Sequence, residues 1–390
     1  MSATRPRIYL DYNASAPIFP EVAEAVAAAL HLANPSSVHA EGRAARAAVE
    51  KARRQVAELV GADPACLVLT SGGSEAANAV LRGISDGDVT PDRLLVADIE
   101  HPCVLTGHGF DADRITRLPV DADGIIDLEA MEQVLASAEA NGERVLLALQ
   151  VANNETGVIQ PLRRASDLVH RFRGLVMADA VQAAGKIPLS LPMLGADAIV
   201  LSGHKIGGPK GIGAIAFASE NIRLAQALVN GGGQEKGQRS GTENVAGIVG
   251  FGLAAEIVRQ KLPMMAGISG FRDRLEQGIR EMAAEAVIFG LNAPRLPNTT
   301  AVSLPGLRAE TALIAFDLDG IAVSSGSACS SGKVRRSAVL KAMGVDDALA
   351  EGVLRISLGW GTTDAHIDEC LAAFGKRARI ARERLESKAA

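Results

Sequence analysis

Through the first two thirds of the chain, short apolar runs alternate with longer amphipathic segments. The runs are Cys66 to Thr70, Arg93 to Ala97, Val145 to Gln150, Leu175 to Ala178 and Ala198 to Leu201. Each is nearly continuous in apolar residues rather than alternating, which is the pattern of a strand covered on both faces. Between them, Glu41 to Val60 and Pro161 to Phe172 repeat apolar residues at three and four, with charges on the other side, and read as covering helices. This rhythm predicts an α/β unit of βα type with a mostly parallel sheet.

The character changes after about Phe251. A long amphipathic stretch to Lys261 and another from Phe271 to Ala284 precede an alternating, strand-like run from Asn298 to Leu304. Further pieces are Leu313 to Leu318, a polar loop from Ser324 to Gly332, a strand from Val353 to Leu358 and a closing helix from Thr363 to Glu386. These form a smaller C-terminal domain, as expected for 390 residues, a length beyond that at which one hydrophobic core stops growing.

Composition removes several classes of function. With 48% hydrophobic and 22% charged residues the chain is an ordinary globular protein rather than a disordered one. Lys and Arg number 40 against 45 Asp and Glu, so no basic footprint for nucleic acid or an anionic membrane exists. No run approaches the ~18 apolar residues of a membrane span, and Met1 to Arg7 lack the pattern of a signal peptide. Cys66, Cys103, Cys329 and Cys370 lack CxxC spacing, which speaks against a disulfide framework or a zinc site and makes a reducing, cytoplasmic setting the default.

In an open α/β sheet, ligands bind beyond the carboxyl ends of the strands, so the residues that follow each apolar run are the chemical candidates. Ala198 to Leu201 leads into Ser202, Gly203, His204 and Lys205. Desolvation in such a turn favours an uncharged, imine-forming amine, although a solvated loop lysine is the alternative. Leu175 to Ala178 ends at Asp179, with Gln182 beyond. A buried carboxylate there suits a protonated pyridine nitrogen, or equally a helix cap. Cys66 to Thr70 opens into Ser71-Gly72-Gly73-Ser74-Glu75 at the start of a helix, an anion site or a plain capping turn. His101 follows Arg93 to Ala97, and Asn153-Asn154-Glu155 follows the strand ending at Gln150. Taken together, a phosphate site, an imine-forming lysine and a partner for a pyridine ring suit pyridoxal phosphate.

Cys329 lies in a run of small residues from Ser324 to Gly332 that cannot pack a core, which favours a mobile nucleophile over the alternative of a structural cysteine at a loop base. Cys66 and Cys370 look structural, and Cys103 is undecided. Arg355, inside an apolar strand, needs an anionic partner: a substrate carboxylate or an internal salt bridge.

The residues quoted, together with Tyr9-Leu10-Asp11, Asn34-Pro35-Ser36-Ser37 and Arg239-Ser240-Gly241-Thr242, make the chain resemble the NifS/IscS-type cysteine desulfurases, class V members of the fold-type-I pyridoxal-phosphate enzymes. The resemblance implies a large cofactor domain with a mostly parallel seven-stranded sheet (residues 15–258). It also implies a smaller α+β domain (1–14 and 259–390) that carries the Cys329 loop. It implies that Lys205 binds the cofactor aldehyde, Asp179 pairs the pyridine nitrogen and His101 stacks on the ring and assists proton transfer. Asn154 and Gln182 would face the ring hydroxyl, and Gly73, Ser74, Ser202 and His204 would hold the phosphate. Thr242 would reach the phosphate from the partner subunit of a homodimer. Arg355, with Asn154 and Asn34, would bind L-cysteine, and Cys329 would carry the sulfur as a persulfide to an acceptor or scaffold protein, for iron–sulfur clusters or another thio-cofactor. A class V aminotransferase and a selenocysteine lyase share the lysine and aspartate. An interaction protein using Cys329 as a metal ligand would not need them.

Overall fold

A computed structural model describes residues 7–326 and 336–389; Cys329 lies outside the described residues. Seven strands form the main sheet in the spatial order Leu67–Thr70, Gly213–Phe217, Ala198–Ser202, Leu175–Asp179, Val145–Gln150, Arg93–Ala97 and Ile115–Leu118. Gly213–Phe217 runs antiparallel to both of its neighbours, and the remaining pairs are parallel, so the sheet is mostly parallel as expected. The side-chain period of two sorts each strand between two cores. Leu95, Leu147, Leu149, Val176, Ala178 and Ile199 face one, whereas Leu94, Leu146, Ala148, Leu175, Met177 and Val200 face the other.

Helices cover both faces. In Ala40–Leu59 the buried residues Ala45, Val49, Ala52 and Val56 recur at four, three and four, which is one stripe of a helix. The helix Val245–Lys261 packs against it and against Pro20–Ala29. Gly252 permits this approach, since a Cβ there would stand 2.5 Å from Ala52 Cα.

A second, antiparallel sheet runs in the order Val287–Ile288, Thr299–Ser303, Leu354–Ser357, Ser324–Ser325. The helices Met265–Met282 and Asp364–Ala389 pack together, and with this sheet they enclose a core of Leu275, Ile279, Phe316, Leu354, Ile356 and Phe374. Ile8 and Leu10 belong to that core although they begin the chain, because Ile8–Tyr9 pairs in parallel with Ile321–Ala322. Val339, Leu340, Met343 and Val353, by contrast, join the first core. Among the described residues no helix is long and apolar enough to cross a membrane.

The differences from the sequence reading have physical causes. Ile115–Leu118 is a half-exposed edge strand with Arg117 pointing out, so it offers no apolar run. Gly213–Phe217 is buried throughout but is built largely of small residues beside glycines. Ser324–Ser325, expected in a loop, is a strand paired with Leu354 and Arg355; polar side chains conceal it. The helix predicted from Phe251 begins at Val245, its first turns being obscured by Gly247 and Gly250.

One buried ion pair ties these elements to the 234–242 segment. Arg53 donates to Glu235 from Nη1 at 2.7 Å and from Nη2 at 2.8 Å, and Glu235 Oε2 also accepts from Leu69 N at 2.9 Å. Glu235 and Lys236 hold φ of 48° and 55°, a left-handed conformation that non-glycine residues rarely adopt and that this bridge sustains. Glu235→Ala should lower stability by about 3 kcal/mol, because Arg53 stays buried without its partner. The double variant Arg53→Met, Glu235→Leu should regain much of the loss; urea midpoints of the three proteins check both outcomes.

Candidate active site

At the carboxyl ends of the central strands lies a cavity of about 630 Å³. Gly73, Ser74, His101, Asn154, Asp179, Gln182, Ser202, His204, Lys205 and Arg355 all line it, so ten separately expected residues share one space. Two do not. Asn34 sits on an exposed turn, where its Oδ1 accepts from Ser36 N at 2.9 Å, and Thr242 is exposed beyond the 234–237 turn.

One end of the cavity is a cradle for an anion. The 11-residue helix Gly73–Gly83 begins here, its first N–H groups having no acceptor within the helix. A Cβ on Gly73 would stand 3.1 Å from Val181 Cγ2 and 3.3 Å from Ser202 Cβ, so a larger residue would fill the cradle. The His204 ring lies 3.2 Å from Ser15 Oγ through Nδ1, and burial, followed by Lys205 and Lys210, lowers it to about 4. It is a neutral ring at physiological pH.

Asp179 and Lys205 face the same space from adjacent strands. Burial pushes Asp179 above the ordinary carboxylate range, against the opposing influence of the Val181 N–H, donated at 3.0 Å, and of His101 and Lys205. A carboxylate so desolvated gains most from a cation placed against it. Lys205 leaves its strand through the turn Gly203–Lys205, and its Nζ donates to Asn13 O at 2.6 Å and to Ala14 O at 3.0 Å.

Asn13, which the sequence reading did not single out, is a hub. Its Oδ1 accepts from Lys186 Nζ at 2.8 Å and Asn298 Nδ2 at 3.1 Å, and its Nδ2 donates to Thr299 Oγ1 at 2.9 Å. Gln182 donates through Nε2 to Asn13 O at 2.9 Å while its Oε1 accepts from Lys186 at 2.7 Å. Burial, then Lys205 and Arg355, hold the Lys186 amine well below its ordinary range. No strand of the main sheet ends at Asn13, so the strand-end rule could not find it. Lys186 was hidden in a helical-looking segment four residues after Gln182.

Arg355 has an internal partner, so of the two anions expected for it the internal salt bridge is present. Its Nη2 donates to Asp11 Oδ1 at 2.8 Å and its Nη1 to Asn154 O at 3.1 Å. Among the described residues its buried Nε has no hydrogen-bond partner, and the side chain lines the cavity. In the Asn153-Asn154-Glu155 segment the roles divide. Asn153 Oδ1 accepts from Glu155 N at 2.8 Å and Thr156 N at 2.9 Å and builds the turn, and Asn154 lines the cavity. Glu155 is raised to about 7 by burial, against the Ser337 hydroxyl, which donates to it at 2.6 Å, and Arg355.

His101 caps the short helix Pro102–Leu105, its Nδ1 accepting from Cys103 N at 3.2 Å. Cys103, left undecided by the sequence, also lines the cavity, with Sγ 3.0 Å from that nitrogen. Cys66 and Cys370 are buried, as a structural role requires.

Comparison with known proteins agrees with this geometry. The aminotransferase class-V family profile matches residues 8–370. A cysteine desulfurase of Cereibacter sphaeroides is 40% identical over 376 residues, 94% of each chain. The solved NifS-like protein of Rickettsia africae superposes with a TM-score of 0.84 at 33% identity, covering 95% of this chain and 99% of its own. A structure described as SspA in complex with cysteine follows at 0.72 and 29%, covering 90% and 98%. With fold, cavity and sequence in agreement over nearly the whole length, the chain belongs to the class-V aminotransferase family and, within it, to the NifS/IscS-type cysteine desulfurases.

Proposed function

We propose that the cavity holds pyridoxal phosphate on Lys205 and that the chain converts L-cysteine to L-alanine, passing the sulfur to Cys329. The observation that carries this reading is the convergence of Lys205, Asp179 and the helix opening at Gly73 on one cavity. The donor set fits the group. A phosphate suits the free N–H groups at Gly73 and the hydroxyls of Ser74 and Ser202, and a pyridinium suits the desolvated Asp179 carboxylate. Bound there, the cofactor supplies an electron sink for the substrate's Cα and Cβ.

The chain's own residues do the rest. Arg355, which lines the cavity beside its Asp11 bridge, would bind the substrate carboxylate with Asn154. His101, which lines the same cavity, would lie beside the ring and present its Nε2 to the reacting groups. The Cys329 thiolate attacks the substrate sulfur: an S–S bond forms, the C–S bond breaks, and a proton replaces sulfur on carbon, leaving a persulfide and alanine. A thiol of an acceptor or scaffold protein then takes the outer sulfur, for iron–sulfur cluster or other thio-cofactor synthesis. Thr242, exposed in its own chain, together with the exposed Leu228 and Val229 nearby, supports a homodimer in which Thr242 completes the partner's phosphate site. The soluble reaction suits the cytoplasm. A two-domain division at about residue 258 assigns Arg355 to the smaller domain and Lys205 to the larger.

Three measurements test this. Purified protein should show a visible absorption band that is absent in Lys205→Ala; an unchanged band would refute the lysine assignment. Alanine formed from cysteine should fall by more than about a hundredfold in Cys329→Ala, since no thiolate is left to take the sulfur. Undiminished alanine production would remove Cys329 from the reaction. Arg355→Lys should raise KM for cysteine by roughly tenfold or more while affecting kcat less, because a point charge replaces the fork. Steady-state kinetics would show it.

A further inference from the structure

Two donors converge on one nitrogen of His101. The backbone N–H of Cys103 reaches Nδ1 at 3.2 Å, and the Cys103 Sγ lies 3.0 Å from the same atom. A backbone N–H is only ever a donor, so Nδ1 must present its lone pair, and a neutral imidazole then carries its proton on Nε2. The thiol agrees with this assignment. Burial, followed by the Asp179 charge, pushes Cys103 up to about 12, with Glu100 adding to the rise and the Ser74 hydroxyl opposing it. The sulfur therefore keeps its hydrogen at physiological pH and serves as a second donor to Nδ1.

Protonating Nδ1 would turn an acceptor toward two donors and cost both contacts. The charged groups around the ring act in mixed directions: burial disfavours the imidazolium, Asp179 favours it and Lys205 disfavours it, with a net lowering. The buried Glu100, one residue before, accepts from Gln150 N at 3.0 Å, and burial holds it well above its ordinary value.

We propose that Cys103 is a positioning residue for His101: its S–H and N–H together hold the imidazole neutral with the proton on Nε2, so the ring enters the reaction as a hydrogen-bond donor at Nε2 and not as a base. The role of His101 in turnover rests on the functional reading above; its tautomer does not.

The test uses the holoenzyme labelled with [15N]histidine. Long-range proton–nitrogen spectra distinguish the two neutral tautomers and the charged ring, and the signal lost in His101→Gln assigns the ring. The expected result is a neutral ring with Nε2–H at pH 7. An Nδ1–H tautomer or a charged ring at that pH overturns the proposal without reference to any variant. Removing the S–H donor in Cys103→Ala should move the His101 titration to higher pH by about half a unit, the effect of one modest hydrogen bond to the neutral form. Cys103→Ser, which restores a donor, should return it toward the wild-type position. No movement in Cys103→Ala would leave the tautomer to the backbone alone and refute the role of the thiol. Loss of alanine formation with the ring signals as expected would count against the functional reading and not against this one.

Discussion

A sheet covered by helices on both faces leaves its polar side chains only one place to stand. Inside the central strands the side chains meet a core on either face, so a hydroxyl, amide or carboxylate there would lose its water without compensation. The functional groups therefore gather where the strands end: Asp179 at the last position of its strand, Ser202 likewise, and Lys205, His101 and Asn154 in the turns beyond. Because most strands of the main sheet run parallel, those ends lie on the same edge, and five local turns become one cavity.

The first residues of the chain close that cavity from the other side. Ile8 and Leu10 are held in the core of the second sheet, Asp11 pairs with Arg355, and two and three residues later Asn13 and Ala14 present their carbonyls to Lys205. Asn13 is fully buried and satisfied through both ends of its amide, with Lys186 and Asn298 on its oxygen and Thr299 on its nitrogen. Unsatisfied amides at such depth cost about 1–3 kcal/mol each, so the hub constrains every partner at once. It holds the amide of Gln182 in one orientation, since the Asn13 carbonyl can only accept from its nitrogen. The placement of the lysine is thus linked to residues from both sheets.

The buried strands announced themselves as continuous apolar runs, and the chemistry was legible wherever a polar residue directly followed one. That rule found Lys205, Asp179, His101 and the Gly73 turn. It failed where residues reach the site by a long route. Asn13 lies near the start of the chain and arrives through a short parallel pairing with Ile321–Ala322. Strands with small or polar residues, Gly213–Phe217 and Ser324–Ser325, were hidden because their burial comes from neighbours and not from their own composition.

The sequence by itself determined the mostly parallel sheet, the strand-end residues and the family resemblance, because these follow from short-range pattern and from motifs contiguous in the chain. Only the tertiary structure decided which partners those residues have. Arg355 calls for a negative charge in any context, but that Asp11 supplies it depends on a contact across 344 positions of the chain. Cys103 was one thiol among four until its sulfur was found beside the Nδ1 of His101. Hydrogen-bond partners are set by distances of about 3 Å, and that accuracy comes only from packing the entire chain.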